Sequence, residues 1–105
     1  MREIKFRAWN DETKGMIPDV QDELLIGAIS SIPGLYLMQY TGLQDKNGVE
    51  IYEGDIVTVG RALGDIKQEK HVVTFDFDLL SYLLHIPETV ITVIGNIYQN
   101  PELLK

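Results

Sequence analysis

The chain has 105 residues, no cysteine, and a formal net charge of −7 from 16 acidic and 9 basic side chains. The absence of cysteine excludes a disulfide framework and a zinc site built on thiolates. The acidic balance argues against binding to nucleic acid, because a phosphate backbone requires clustered Lys and Arg. The length is typical of one domain, so we expect a single domain over residues 1–105 with its own core.

Targeting and membrane signals are not evident in the sequence. The first residues, MREIKF, include basic side chains, but no apolar segment of the signal-peptide type follows them. A membrane helix needs ~20 apolar residues. The longest apolar run, 79–86, is interrupted by Ser81 and His85 and ended by Pro87. We therefore expect a cytoplasmic protein that does not bind membranes.

The N-terminal part has the pattern of two paired strands. Residues 2–9 alternate between apolar and charged side chains, with Ile4 on the apolar face, which is the period of a half-buried strand. The polar segment 10–15 predicts a turn. Met16 then starts a return strand that Pro18 ends. Together these segments predict an N-terminal strand pair.

The next region is less regular. Apolar residues recur at helical spacing over 21–31, but Gly27 weakens a helix, so a short helix and an irregular apolar loop both stay open. Residues 35–40 predict a strand that does not continue past Thr41.

A turn and a bend follow. Residues 42–48 are predicted to form a loop in which Asn47 and Gly48 both adopt positive φ. The alternative is a metal or ligand loop, but this segment lacks the oxygen ligands of a calcium site. After a short strand over 49–52, the acidic residues Glu53 and Asp55 flank a glycine and are predicted to lie in a solvated turn.

The C-terminal half is again rich in strand patterns. A β-branched strand over 56–59 leads to a predicted loop over 60–68 and an alternating strand over 71–77. The apolar segment 78–86 is either a strand after a tight turn or a short helix. Residues 90–98 predict a strand with a bulge or a close backbone approach at the Gly-Asn pair within it.

The chain ends with the residues of a helix start, Asn100, Pro101 and Glu102. We expect one turn at most, held by the packing of Leu103 and Leu104.

Three blocks of sequence carry a family resemblance. They are REIKFRAW at 2–9, LMQYTGLQDKNGVEIYEGDIV at 37–57 and VIGNIYQNPELL at 93–104. With these blocks the chain resembles the YopX-like family of small phage and prophage proteins of Gram-positive bacteria. That family has no established activity and is similar to small SH3-like barrels. The resemblance and the strand patterns imply a mainly β fold, a small SH3-like barrel over 37–98 with an N-terminal strand pair and little helix.

Residues suited to catalysis are few. No serine lies in a Gly-x-Ser-x-Gly elbow, and the glycines form no phosphate-binding fingerprint. His71 and His85 lack metal-ligand spacing, although pairing of their segments as a hairpin would let them converge with Asp76 or Asp78. Surface or interface histidines are the interpretation that we prefer. We therefore predict no catalytic residue, no cofactor, no metal and no enzymatic activity.

The aromatic side chains form the more informative set: Trp9, Tyr36, Tyr40, Tyr52, Tyr82 and Tyr98. Aromatic rings on a barrel face can stack nucleic-acid bases, but such surfaces include basic residues. The sequence neighbours of two of these tyrosines are Thr41, Glu50 and Glu53. We therefore predict that the rings pack in the core and at an interface.

We predict a phage or prophage accessory protein of the bacterial host cytoplasm, a non-enzymatic protein-interaction module whose protein partner is unknown. The alternative is an acidic inhibitor or DNA mimic of a host nucleic-acid-binding protein, and a small metal-dependent hydrolase is least favoured. Acidic side chains clustered on one face would favour the DNA mimic. A pocket that contains His and carboxylate side chains would favour the enzyme. A large exposed apolar patch would favour the protein-interaction module. The Leu-rich run 79–84 predicts a homo-oligomer that buries part of it.

Overall fold

The computed structural model describes residues 4–21, 23–29, 31–60, 69–74, 77–87 and 90–104. Strands predominate in this part of the chain. In order the elements are β1 (Phe6–Asn10), β2 (Gly15–Ile17), α1 (Glu23–Ile29), β3 (Leu35–Gln44), β4 (Glu50–Tyr52), β5 (Asp55–Val59), β6 (Glu69–Val72), α2 (Phe77–Leu84), β7 (Ile91–Asn96) and a 3₁₀ helix (Pro101–Leu104).

The strands form two antiparallel sheets. One has the order β2-β1-β3-β4 and the other the order β6-β5-β7. The sheets curl into a half-barrel, consistent with a small β-barrel, which confirms the predicted mainly β class. The N-terminal strand pair is present, and β1 pairs along its length with β3. The N-terminal strand pair therefore extends the sheet that contains β3 and β4.

Two predicted strand ends are wrong. β3 continues beyond Thr41 to Gln44, because Gln44 pairs with Glu50 after a register shift that follows Tyr40. At the other end of the chain, β6 covers Glu69–Val72 and α2 begins at Phe77, so the predicted strand over 71–77 is too long. Most of the predicted loop over 60–68 lies outside the described residues.

Both ambiguous segments contain helices. The segment 21–31 contains α1, and the segment 78–86 contains most of α2. Leu83 of α2 is buried, and Leu79 packs against the same core cluster. Two leucines of the run predicted to form an oligomer surface therefore contribute to the core, whereas Leu84 is exposed.

The core consists of three clusters. The largest lies where the three-stranded sheet, β4 and α2 meet, and its buried members are Ile51, Val57, Val59, Val73, Leu83 and Ile91. A second lies beside α1 and contains Ala8, Val20 and Ile29. The third contains Met38, Tyr40 and Tyr52, with Met16 and Tyr98 packed against it. These clusters fix the two sheets and α1 around the surfaces described below.

The chain ends differ in part from expectation. Ile4 was expected on the apolar face of the first strand, but it is exposed because β1 begins only at Phe6. The predicted turn at the C-terminus is present as the 3₁₀ helix, yet Leu104 is exposed and so does not hold it. Within the described ranges, no helix has the length and apolar character needed to span a bilayer.

Candidate binding surface

A buried ion pair joins the two sheets. Arg7 of β1 donates from Nη2 to one carboxylate oxygen of Asp55, the first residue of β5. The other oxygen accepts the backbone N–H of Tyr52 at 2.7 Å. The guanidinium carbon of Arg7 also lies 4.2 Å from the centroid of the Tyr52 ring. This arrangement engages both carboxylate oxygens and fixes the sheets to each other.

The prediction of a solvated turn was wrong for Asp55, which is 1% exposed. β5 begins at this residue, and its side chain points inward towards Arg7 rather than to solvent. Burial raises the pKa of Asp55 above its usual value, although Arg7 and the Tyr52 N–H act in the opposite direction. Glu53, its neighbour in the predicted acidic pair, is half-buried.

A second buried carboxylate organises the turn between β3 and β4. Asp45 is 2% exposed, and its Oδ1 accepts the N–H groups of Asn47 at 2.8 Å and Val49 at 3.0 Å. Its Oδ2 accepts the N–H of Val93 in β7 at 3.0 Å. Burial acts to raise the pKa of Asp45, but the three N–H donors outweigh burial and hold the pKa below its usual value.

The predicted turn at this position is confirmed, but only one of its two backbone predictions holds. Gly48 has a φ of 79°, as expected. Among the described residues the sole non-glycine with positive φ is Lys14, so the prediction for Asn47 was wrong. Asp45 makes positive φ at Asn47 unnecessary, because its carboxylate accepts the Asn47 N–H directly.

The two histidines lie on different kinds of element. His71 is in β6, with its ring centroid 6.0 Å from that of Tyr82 in α2. His85 follows α2, and its Nδ1 is 2.6 Å from the carbonyl oxygen of Ser81. The hairpin that would have brought them together is not formed, since a helix replaces one of its strands. No group of three or more His and carboxylate side chains suited to a metal ion occurs in the described ranges.

Four of the five tyrosines form two ring pairs, one buried and one partly exposed. Tyr40 and Tyr52 are buried, with ring centroids 5.5 Å apart, which agrees with the predicted core packing. Lys5 lies over the Tyr40 ring and forms an ion pair with Glu50. Sequence neighbours alone had placed only acidic and polar residues here, because the basic side chains come from the N-terminal segment.

The partly exposed pair, Tyr36 and the half-buried Tyr98, forms what we call the tyrosine ridge. Tyr36 is 42% exposed and lies on β3, where it pairs with Trp9 of β1. Tyr98 follows β7. The two rings stack with centroids 4.7 Å apart and planes 19° from parallel. Stacked, partly exposed rings of this kind are typical of interaction sites.

A rigid turn holds Tyr98 in place. The buried side chain of Asn96 accepts the backbone N–H groups of Tyr98 at 3.0 Å and Gln99 at 2.9 Å. Asn100 in turn accepts the Asn96 N–H at 3.2 Å. Gly95 is required beside it, because a Cβ there would lie 2.5 Å from the Asn100 Oδ1. The predicted close approach is confirmed, and so is the bulge, since the register of β7 shifts against β5 at this point.

The ridge also rests on the bend between β4 and β5. Gly54 has a φ of 90°, and a Cβ at this position would lie 3.1 Å from Met38 Cε and 3.4 Å from Tyr98 Cε2. The bend therefore depends on glycine both for its backbone and for space. The three sequence blocks meet here, since Trp9, Gly54 and Tyr98 each come from a different one.

Two concave surfaces adjoin the tyrosine ridge. The helix-side groove has a volume of about 480 Å³, and besides the ridge its lining includes Ile26, Ile29, Ile32, Pro33, Leu35 and Leu37. The tail-side cavity has a volume of about 510 Å³, and besides Tyr98 it is lined by Trp9, Lys14, Gln99, Pro101 and Glu102. Tyr98 lines both, so the two sites adjoin at this ring.

A further cavity of about 520 Å³ also includes Ile26 of α1 in its lining. Phe6, Val20 and Ile26 form its apolar wall, and the paired residues Lys5 and Glu50 line it as well. The ammonium and the carboxylate bind each other, and Asp19, which also lines the cavity, accepts a hydrogen bond from Gln21 at 2.9 Å. We therefore regard the tyrosine ridge and its two flanking sites as the candidate binding surface.

Comparisons with known proteins identify a family but no activity. The sequence model of the YopX family, described as YopX protein, matches residues 20–105. No curated protein matches the chain. Among solved structures, the chain is similar to protein EF1440 from Enterococcus faecalis, with 25% sequence identity, a TM-score of 0.69 and complete coverage of both chains.

Proposed function

The chain belongs to the YopX family, and from the surface that it carries we propose that it is a non-enzymatic protein-interaction module. We further propose that it is an accessory protein of phage or prophage origin that acts in the cytoplasm of the bacterial host. The observation that carries the proposal is the tyrosine ridge with two concave sites that adjoin it. Tyrosine is enriched in protein interfaces, where it supplies a large contact area with little conformational freedom to lose.

Rigidity of the surface supports this function. Tyr98 is fixed by the Asn96 turn, and Tyr36 lies within a paired strand. A surface that is already ordered loses little conformational entropy when it binds, so more of the contact energy is available for affinity.

The distribution of charge favours this proposal over an acidic mimic of DNA. In the described part of the chain, Asp11, Glu50 and Asp55 each pair with a basic side chain, and Asp45 is buried. A mimic would instead present its carboxylates together on one face. With a net charge of −7, the protein is also expected not to bind duplex DNA.

The proposal is tested by affinity capture from the bacterium that carries the gene. Tyr82 is the matched control, because it is 42% exposed like Tyr36 but lies on α2. We expect the wild-type protein and Tyr82→Ala to retain the same protein partner, identified by mass spectrometry, and Tyr36→Ala to lose it. Equal capture by all three proteins, or no partner for the wild type, would contradict the proposal.

A further inference from the structure

The dipeptide Asn-Gly occurs once in the chain, at Asn47 and Gly48 in the turn between β3 and β4. The carboxamide of such an asparagine can react with the main-chain nitrogen that follows it, because glycine has no side chain to hinder the approach. Both residues are exposed, so water has access to the carboxamide. We propose that Asn47 is a site of spontaneous deamidation and that Asp45 controls the rate.

The reaction needs only water. The Gly48 nitrogen gives up its proton to solvent and attacks Asn47 Cγ, so that an N–Cγ bond forms, the Cγ–Nδ2 bond breaks and ammonia leaves. Water then opens the resulting cyclic imide. Addition of water at Cγ gives aspartate, and addition at the main-chain carbonyl carbon gives isoaspartate. No electrons are gained or lost.

The turn holds back the first step. The Gly48 N–H donates to the main-chain carbonyl of Asp45 at 3.0 Å, which retains the proton that must leave. The N–H groups of Asn47 and Val49 donate to Asp45 Oδ1 at 2.8 and 3.0 Å, so the main chain is fixed on both sides of Gly48. The attack therefore requires the turn to open first.

Opening the turn is costly because Asp45 is itself held. Its side chain is 2% exposed, its Oδ2 accepts the Val93 N–H at 3.0 Å, and its own N–H donates to the Val49 carbonyl at 2.9 Å. Hydrogen bonds to a carboxylate are stronger than those between neutral groups. Asn47 should therefore react slowly in the folded chain although its side chain is exposed.

The product should weaken the same turn. Isoaspartate lengthens the main chain between residues 47 and 48 by one methylene, which displaces the Gly48 and Val49 N–H groups from Asp45. Either product also adds a carboxylate to the turn that contains Asp45, in a chain whose net charge is already −7. Deamidation would thus loosen the hold of Asp45 on Val93, and the Val93 amide should exchange with solvent faster in the converted chain.

The test compares the full chain in buffer with the same chain in guanidinium chloride, at neutral pH. Peptide mapping by mass spectrometry measures conversion of Asn47, and an isoaspartate methyltransferase labels the rearranged product. We expect conversion in the folded chain to be at least about tenfold slower than in the unfolded chain. Asn96 and Asn100, which precede isoleucine and proline, are internal controls and should stay intact over the same period.

A variant tests the part played by Asp45. Asp45→Asn keeps one oxygen acceptor but loses the charge, and it should accelerate conversion of Asn47 in buffer by at least about fivefold. Gly95→Ala is the matched control, because it disturbs the bond between Asn100 and Asn96 in a different turn. Its rate should stay within about twofold of the wild type. All three proteins should react equally fast in guanidinium chloride, and circular dichroism verifies that each is folded in buffer.

Hydrogen exchange tests the same point without a variant. If opening of the turn controls the reaction, the protection of the Gly48 N–H against exchange should match the ratio of the two wild-type deamidation rates. Equal rates in buffer and guanidinium chloride, an unaltered rate in folded Asp45→Asn, or exchange of Gly48 that does not match the ratio would overturn the control by Asp45. Absence of conversion in guanidinium chloride would overturn the assignment of the site.

Discussion

Arg7 and Asp55 are 48 residues apart in sequence and form an ion pair across the seam between the two sheets. The guanidinium is stacked on Tyr52, whose own N–H binds the same carboxylate. One side chain from β1 thus fixes both the start of β5 and the end of β4. The orientation of the bend that supports the tyrosine ridge depends on this contact.

Removal of Arg7 should destabilise the protein strongly. Arg7→Ala leaves the buried carboxylate of Asp55 without its counter-charge, and loss of one partner from such a pair costs about 3–5 kcal/mol. Lys5→Ala is the control on the same segment, because its pair with Glu50 is more exposed and is expected to contribute less than about 1 kcal/mol. Urea unfolding measures both free energies of unfolding. Similar values for the two variants would show that the seam does not depend on Arg7.

Asp45 should make the stability depend on pH. Its folded pKa lies below its usual value, so its stabilising effect is present above the unfolded value of about 3.9 and is lost as the pH falls through the folded pKa. Asp45→Asn should therefore lose less stability than the wild type between pH 6 and pH 3. The folded pKa of Asp55 is raised, so protonation of this residue favours the folded state as the pH falls. Asp55→Asn removes this contribution and should therefore lose more stability than the wild type over the same pH range. Parallel curves of the free energy of unfolding against pH for Asp45→Asn and the wild type would contradict the prediction.

Gly54 should tolerate no β-branched side chain. Gly54→Val would place its Cβ against Met38 and Tyr98 at positive φ, so we expect a loss of more than about 1 kcal/mol. Glu53→Ala, one residue earlier and only half-buried, should change the stability by less than about 0.5 kcal/mol. Paired denaturant melts compare the two. A stable Gly54→Val with a destabilised Glu53→Ala would make Glu53 the first residue to examine as a functional site.

Two glycine-to-alanine substitutions should have opposite signs. Gly95→Ala would displace the Asn100 side chain and break its bond to the Asn96 N–H, with a loss of about 1 kcal/mol. Gly27→Ala lies in α1 with open space around it and should stabilise by about 0.5–1 kcal/mol. Thermal melts give both changes. If Gly95→Ala is as stable as Gly27→Ala, then Asn100 does not hold the turn that presents Tyr98.

Self-association should involve α2. Leu83 is in the core, whereas Leu84 of the same helix is 59% exposed and offers an apolar surface. We expect a homodimer or larger homo-oligomer, and Leu84→Asp should shift it towards monomer. Size exclusion with light scattering measures both masses. A monomeric wild type at high protein concentration would refute this expectation.

The sequence was informative where structure depends on neighbouring residues. The alternation around Phe6, the turn at Gly48 and the glycine of the β7 bulge were each visible in short segments, because period and backbone freedom are local properties. The end of β3 at Gln44 could not be predicted from a short segment, because Gln44 pairs with Glu50 of β4, which lies beyond the turn. Residue propensities also could not predict whether the segment that forms α2 is a helix or a strand, because a Leu-rich segment suits either a buried strand or a helix.

The candidate site was harder to predict than the fold. Tyr36 and Tyr98 are 62 positions apart, and nothing in their immediate neighbours indicates that the rings stack. Asp55 likewise has the local sequence of a solvated turn, and the approach of Arg7 from β1, which offsets part of the cost of burying its carboxylate, is not visible in that sequence. Long-range partners of this kind are defined by topology, which composition and spacing do not specify.

The turn around Asp45 also has a consequence for solubility at high concentration. β7 lies at the margin of its sheet, where free N–H and C=O groups would otherwise be open to a strand from another molecule. Val93 donates instead to Asp45, and the carbonyl of Ile91 accepts the N–H of Lys46. The same turn that joins β3 to β4 thus occupies this margin and keeps a β-branched, aggregation-prone segment from adding strands into a fibril.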